Sequence, residues 1–188
     1  MMELLGQLAT YRPFDENEAR MTARLRNFLG ATQGDNPFGR DLAGVAPEWG
    51  HLTGSAWIVD PNFSQCVLLH HAKLNKWVQP GGHCDGQSDV LEVARREAGE
   101  ETGLRVEALQ PDIFDVDVHE IPEYWNTPAH LHFDVRSIFV ADLNQKIVEN
   151  HESRDVRWLS LEEAEKLSGE ESIARMIRKT RRRSTLAL

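Results

Sequence analysis

Residues 81 to 104, GGHCDGQSDVLEVARREAGEETGL, constrain this chain more tightly than any other stretch. A double glycine interrupts the strand-like run before it, Gly103 stops the helix that follows, and Ser88 to Thr102 carries helical periodicity. Leu91, Ala94 and Ala98 share one face, and their small side chains let the helix approach a sheet closely. Glu97, Glu100 and Glu101 stand at i, i+3 and i+4 on another face, which brings their side chains to about 5–6 Å. Carboxylates that close raise one another's pKa unless a cation lies between them. Hard divalent ions such as magnesium take oxygen ligands and leave room for water and phosphate. Taken alone, such an acidic run is a solvated helix face; its surroundings point instead to an acidic stripe in a cleft.

Those surroundings resemble the signature of the Nudix hydrolases, G-x5-E-x7-R-E-U-x-E-E-x-G-U with U apolar. With Gly82 as the first glycine, Arg96, Glu97, Glu100, Glu101, Gly103 and Leu104 fall in register and Ala98 takes the apolar position. Trp77-Val78-Gln79-Pro80-Gly81-Gly82 resembles the strand and turn that lead into that signature. One position departs, since Ser88 stands where a glutamate is expected, with Asp89 beside it and Asp85 three residues before. The resemblance gives that glutamate the part of partner to the arginine, so the partner of Arg96 is open between Asp89, Asp85 and neither. Ser88 is expected to cap the helix and Asp89 to favour its dipole.

The resemblance implies an α/β (α+β) fold, a Nudix-type α/β/α sandwich with a mixed β-sheet. It also implies a metal-dependent hydrolase, using Mg2+ or Mn2+, that cleaves the diphosphate linkage of a nucleoside diphosphate joined to another moiety by attack of water on phosphorus. Carried over residue by residue, Glu100 and Glu101 are the principal metal ligands, Glu97 is a further ligand or orients the water, the Gly81 carbonyl is a ligand, and Arg96 positions the glutamates. A general base or last ligand from a loop outside the signature falls to Glu152, with Glu149 in reserve. The competing reading is a nucleotide-binding sensor with little or no catalysis, for which only Ser88 speaks. An isomerase would need a catalytic cysteine, and Cys84 alone suggests none.

Around this segment the chain divides into an N-terminal helical extension and loop, residues 1–50, and a Nudix domain, residues 51–188. A helix is expected from Asp15 to Leu29, with Asp15 as N-cap, Glu18 as its partner and Gly30 as its end. Residues 31–50 read as a glycine- and proline-rich linker over the cleft. Strands are expected at Ser55–Val59, Gln65–His70, Arg105–Leu109, Ile113–Val118, Leu131–Ala141 and Val156–Leu159, with a turn at Asp60-Pro61-Asn62. Ser160-Leu161-Glu162-Glu163 reads as a capping box that opens a helical tail. Strands and helices mix without strict alternation, which favours a mixed sheet covered by helices.

Other constellations carry weaker signals. His130, His132 and Asp134 alternate along one strand, so they share a face, and with His83 they are candidates for a further metal or for substrate phosphates. Tyr124 and Trp125 lie in a polar stretch and either stack on a base or anchor their own loop. Six of the 21 basic residues fall in residues 175–188, which leaves residues 1–174 with 15 basic against 30 acidic. A body that acidic argues against a general nucleic-acid binder, and the basic end reads as a solvated helix terminus. Two cysteines, no membrane-length apolar run and no basic leader point to a reducing cytoplasm; the resemblance implies a small-molecule nucleoside diphosphate derivative as partner, with a homodimer open.

Overall fold

The computed structural model describes residues 1–32, 36–40, 43–45, 48–123, 127–148, 150–151 and 153–186. Among these the chain runs α1 (Met2–Thr10), α2 (Glu16–Ala31), β1 (Ala43–Val45), β2 (Glu48–Val59), β3 (Gln65–His71), β4 (Lys76–Val78), β5 (Gly81–His83), α3 (Val90–Thr102), β6 (Glu107–Ala108), β7 (Asp115–Ile121), β8 (His130–Val140), β9 (Ser153–Ser160), α4 (Leu161–Ser168) and α5 (Glu171–Leu186). The result is a mixed α+β architecture. β2 runs parallel to β8 from Gly50↔Leu131 to Val59↔Val140, while β5 and β7 add antiparallel at the outer edges of that pair. β3 pairs with β4 and β9, all antiparallel. No helix among the described residues is long and apolar enough to cross a membrane.

Strand alternation sorts the apolar residues onto two faces. Ala56 and Ile58 of β2, Val67 and Leu69 of β3 and Phe139 of β8 meet Ala94 and Ala98 of α3. Their neighbours in sequence, Trp57 and Val59, Cys66 and Leu68, and Ile138, point the other way and meet Leu161, Ala164, Ile173, Met176 and Ile177 of α4 and α5. Helices therefore cover both faces of the sheet. The expected capping box is present, with the Ser160 side chain accepting from the Glu163 N–H and Glu163 returning to the Ser160 N–H.

The helices α1 and α2, and Phe38 after them, are built into the core. Leu4, Leu8, Leu25, Phe28 and Leu29 are buried with Val116, Val118, Phe133 and Val135, and the rings of Phe28 and Phe133 stack at 3.9 Å. The sequence reading does not include α1; nine residues make a marginal helix in isolation, and here burial of Leu4 and Leu8, one turn apart, holds it. Asp15 caps α2 as expected, accepting from the Glu18 N–H at 2.9 Å. Gly30 does not end α2, which runs on to Ala31 because the buried Phe28 and Leu29 keep the last turn in place. Glu18 turns inward instead of completing a box, and accepts from the Val116 N–H at 3.1 Å, from the Phe14 N–H at 2.6 Å and from the Tyr11 hydroxyl.

Two further expectations are corrected where the chain approaches α3. The break at residues 79–83 holds a short strand, β5, whose glycines let its backbone lie against β2 and α3. The N-cap of α3 is Asp89 rather than Ser88: its carboxylate accepts from the Leu91 and Glu92 N–H groups, both at 3.1 Å, and it adds a negative charge at the positive end of the helix.

Candidate active site

α3 is held at both ends, by Asp89 at its start and by Gly103 in the left-handed region, φ 69°, at its end. Its buried Ala94 and Ala98 let it lie close on the sheet, which brings the next turn against β5. Glu101 is buried, and one of its oxygens accepts from the Gly81 N–H at 2.8 Å. The Glu97 carboxylate lies over Gly82 so closely that a Cβ there would stand 2.6–2.7 Å from its carboxyl carbon and oxygens. Glu100 is the exposed member of the three. Arg96 spans them: one guanidinium nitrogen lies 2.8 Å from Glu97 and 3.5 Å from Glu100, and another donates to the His83 carbonyl at 3.0 Å.

Neither candidate partner takes Arg96. Asp89 is occupied as the cap, and Asp85 is paired with Arg40, whose guanidinium holds its carboxyl below the usual range. Residues 36–40 are thereby fastened beside the start of α3, where the Phe38 carbonyl also accepts from the Gly86 N–H at 2.7 Å. The donor set suits a hard divalent cation: three carboxylates on one helix, with a side-chain-free position at Gly82 that cradles one of them.

Facing away from α3, four adjacent strands bring histidines together. The register sets His119 of β7 opposite His132 of β8, His132 opposite His51 of β2, and Thr53 of β2 opposite His83 of β5. Ring centroids are 4.8 Å apart for His51 and His132, 4.9 Å for His51 and His83, and 4.9 Å for His51 and His130. His83, His130 and His132 were expected near one another; His51 and His119 were missed because only strand pairing makes them neighbours. His51 is 3% exposed, and neither of its ring nitrogens makes a hydrogen bond of good geometry, the Arg40 backbone lying near it but poorly placed; Nε2 of His132 is likewise buried and unpartnered. Leaving a buried polar group unpaired costs about 1–3 kcal/mol. Burial and the rings of His83 and His130 push His51 down to about 4, with the Arg40 backbone opposing in part, and burial with four neighbouring histidines pushes His132 down to about 2.

Asp134 shares that strand face. It is buried, one oxygen accepting from Thr53 at 2.9 Å and Ser55 at 2.7 Å, the other from Arg136 at 2.7 Å and Gln79 at 3.3 Å, so its acceptors are used. Behind it a buried charge network continues through Arg136, Asp115, Asp117 and Arg175 to Lys179 and Glu18. The basic end is accordingly not a solvated tail: Arg178 pairs with Asp15 and Glu171, Lys179 is buried, and Arg181 pairs with Glu165. Cys84 is buried with its thiol pushed up to about 12 by that burial, which rules out a ready thiolate. Tyr124, Trp125, Glu149 and Glu152 lie outside the described residues.

A family model described as NUDIX domain matches residues 51–180. Phosphatase NudJ of Shigella boydii is 34% identical over 95 residues, 49% of this chain and 56% of that protein. The chain thus spans about half the length of the curated relatives it matches. Among solved structures, a Caenorhabditis elegans Ap4A hydrolase binary complex superposes with a TM-score of 0.55 at 19% identity, covering 68% of this chain and 93% of the other. RenU, a Nudix hydrolase from Mycobacterium smegmatis, superposes with a TM-score of 0.51 at 19% identity, covering 72% and 86%. These two similarities bear on the fold.

Proposed function

The chain belongs to the NUDIX domain family, and from that premise we propose that it hydrolyses the diphosphate linkage of a nucleoside diphosphate joined to another moiety. The observation that carries this reading is the seating of Glu97 and Glu101 against the glycines of β5, with Glu100 on the next turn reached by the same arginine that pairs with Glu97. The phosphatase relative supports the reaction class. Glu100, Glu101 and the Gly81 carbonyl hold magnesium or manganese, with Glu97 as a further ligand or as the group that orients the attacking water. The ion, when bound, neutralises the anionic substrate, acidifies a water and stabilises charge on the leaving phosphate.

The chain's own groups do the rest. The Gly81 N–H fixes Glu101, so this carboxylate is preorganised and loses little entropy on binding a cation. Arg96 is a positioning residue that pairs with Glu97 and Glu100 at once and so offsets their mutual repulsion. Glu152 serves as the general base, with Glu149 in reserve, and Tyr124 and Trp125 stack on the nucleobase. Two free, buried cysteines suit a reducing cytoplasm.

A second reading, nucleotide binding without turnover, draws on Ser88 and on Arg96 pairing with Glu97 rather than with an acid outside the triad. One assay separates the two: phosphate release from nucleoside triphosphates, dinucleoside polyphosphates, nucleotide sugars, ADP-ribose, NADH and CoA, with magnesium or manganese. Metal-dependent turnover of one class supports hydrolysis. Silence across the panel, with a thermal shift from one of the same compounds, supports the sensor.

A further inference from the structure

We propose that His51, His83 and His132 form a transition-metal site of the zinc class, separate from the carboxylate site and on the opposite face of β5. Side chains alternate along a strand, so Gly82 meets Glu97 on one side while His83 joins the histidines on the other. One nitrogen from each of the three rings lies within 4.8 Å of the other two. Zinc–nitrogen bonds of about 2.0–2.1 Å set donors on one ion about 3.3 Å apart, so small side-chain rotations close the set.

Three features point to a metal rather than to a packed core or an anion. A core histidine ordinarily finds a well-placed partner, as His130 does at the Pro128 carbonyl, 2.8 Å away; His51 is buried and aimed into the group without a hydrogen bond of good geometry. An anion would need charged rings, whereas a buried imidazole with three others within 4.9 Å is a poor place for positive charge. The donor group holds no carboxylate, and imidazole alone selects zinc, copper, nickel or iron over magnesium and calcium. Three protein ligands also leave a position for water or a phosphate oxygen. The site is tied to the acidic face by one residue, because His83 offers its ring to the cluster and its carbonyl to Arg96.

The test uses the full chain, freed of metal by a chelator and titrated with Co2+ and Zn2+ in excess magnesium. The expected result is one tight equivalent, with X-ray absorption on the zinc form showing imidazole nitrogens at about 2.0–2.1 Å. His51→Gln and His132→Gln should each weaken binding by at least about 10–100-fold, the loss that even supporting residues cause, while Glu100→Gln leaves it intact. His132→Gln and His83→Asn, at half-buried positions, carry the test should the variant at the buried His51 fail to fold. No stoichiometric uptake, an oxygen-only coordination shell, or tight binding lost in Glu100→Gln but kept in the histidine variants would overturn the proposal. Because metal uptake is read without turnover, failure of the hydrolase reading would leave this outcome unaffected.

Discussion

At Gly82 a hydrogen in place of a side chain lets the Glu97 carboxylate lie against the β5 backbone. The three atoms nearest a methyl group there all belong to the movable end of Glu97, so Gly82→Ala should cost little stability and displace the carboxylate. Misplacement by about 1 Å can cost about 100-fold in rate, and a fall in kcat of at least 10-fold with an unchanged Tm is the expected outcome. Gly81→Ala is the contrast. Its methyl would overlap Ser55, with the Ser55 Cα at 2.9 Å, so backbone has to move and a loss of about 1–3 kcal/mol should appear in urea unfolding. Equal effects of both changes on stability would show that Glu97 is not what Gly82 accommodates.

The elements repeat the lesson with different physics. Asp89→Ala removes the acceptor for two N–H groups at the start of α3 and should cost about 1 kcal/mol, while Ser88→Ala should stay within about 0.5 kcal/mol, both read as urea midpoints. A larger loss at Ser88 would contradict the assignment of the cap. α3 was legible because its glycine stop, small face and acidic spacing are local, and the sequence placed most strands and the capping box at Ser160 for the same reason. What escaped is non-local. The helix at Met2–Thr10 exists through burial of Leu4 and Leu8, and the ring cluster exists because β2, β5, β7 and β8 align His51, His83, His119 and His132 in register. The pairing of Asp85 with Arg40 is likewise unreadable at a separation of 45 residues.

Across the whole molecule, α2 and α5 are joined to the sheet by buried charges. Lys179 meets Glu18 and Asp115 together, and Arg175 and Arg136 complete the set. Lys179→Met leaves two buried carboxylates with less compensation and should cost about 3–5 kcal/mol, the usual cost of removing one partner of such a group. Burial alone would raise the Asp115 carboxyl, but the surrounding Arg175, Lys179 and Arg136 outweigh it and hold the group low; Asp117 is held low against its burial by Arg136, His119 and Arg175. A depressed carboxyl contributes stability that is complete above the unfolded value of about 3.9 and lost as pH falls toward the folded one. Tm should therefore drop as pH falls below about 4, and Asp117→Asn should flatten that drop; an unchanged slope would contradict the network's role. Removing residues 1–30 would uncover Phe133 and Val116 and strip Glu18 from Lys179, so the shortened chain should unfold far more easily rather than lose affinity alone.

The central claim is that water attacks phosphorus at the Glu97, Glu100 and Glu101 face, and the most direct measurement is hydrolysis in 18O-labelled water with magnesium, wild type beside Glu100→Gln. The expected result is one 18O per turnover in a phosphate-bearing product, with turnover at least about 100-fold lower in Glu100→Gln and an unchanged Tm. Equal turnover in the two proteins, or products without label on phosphate, would contradict it.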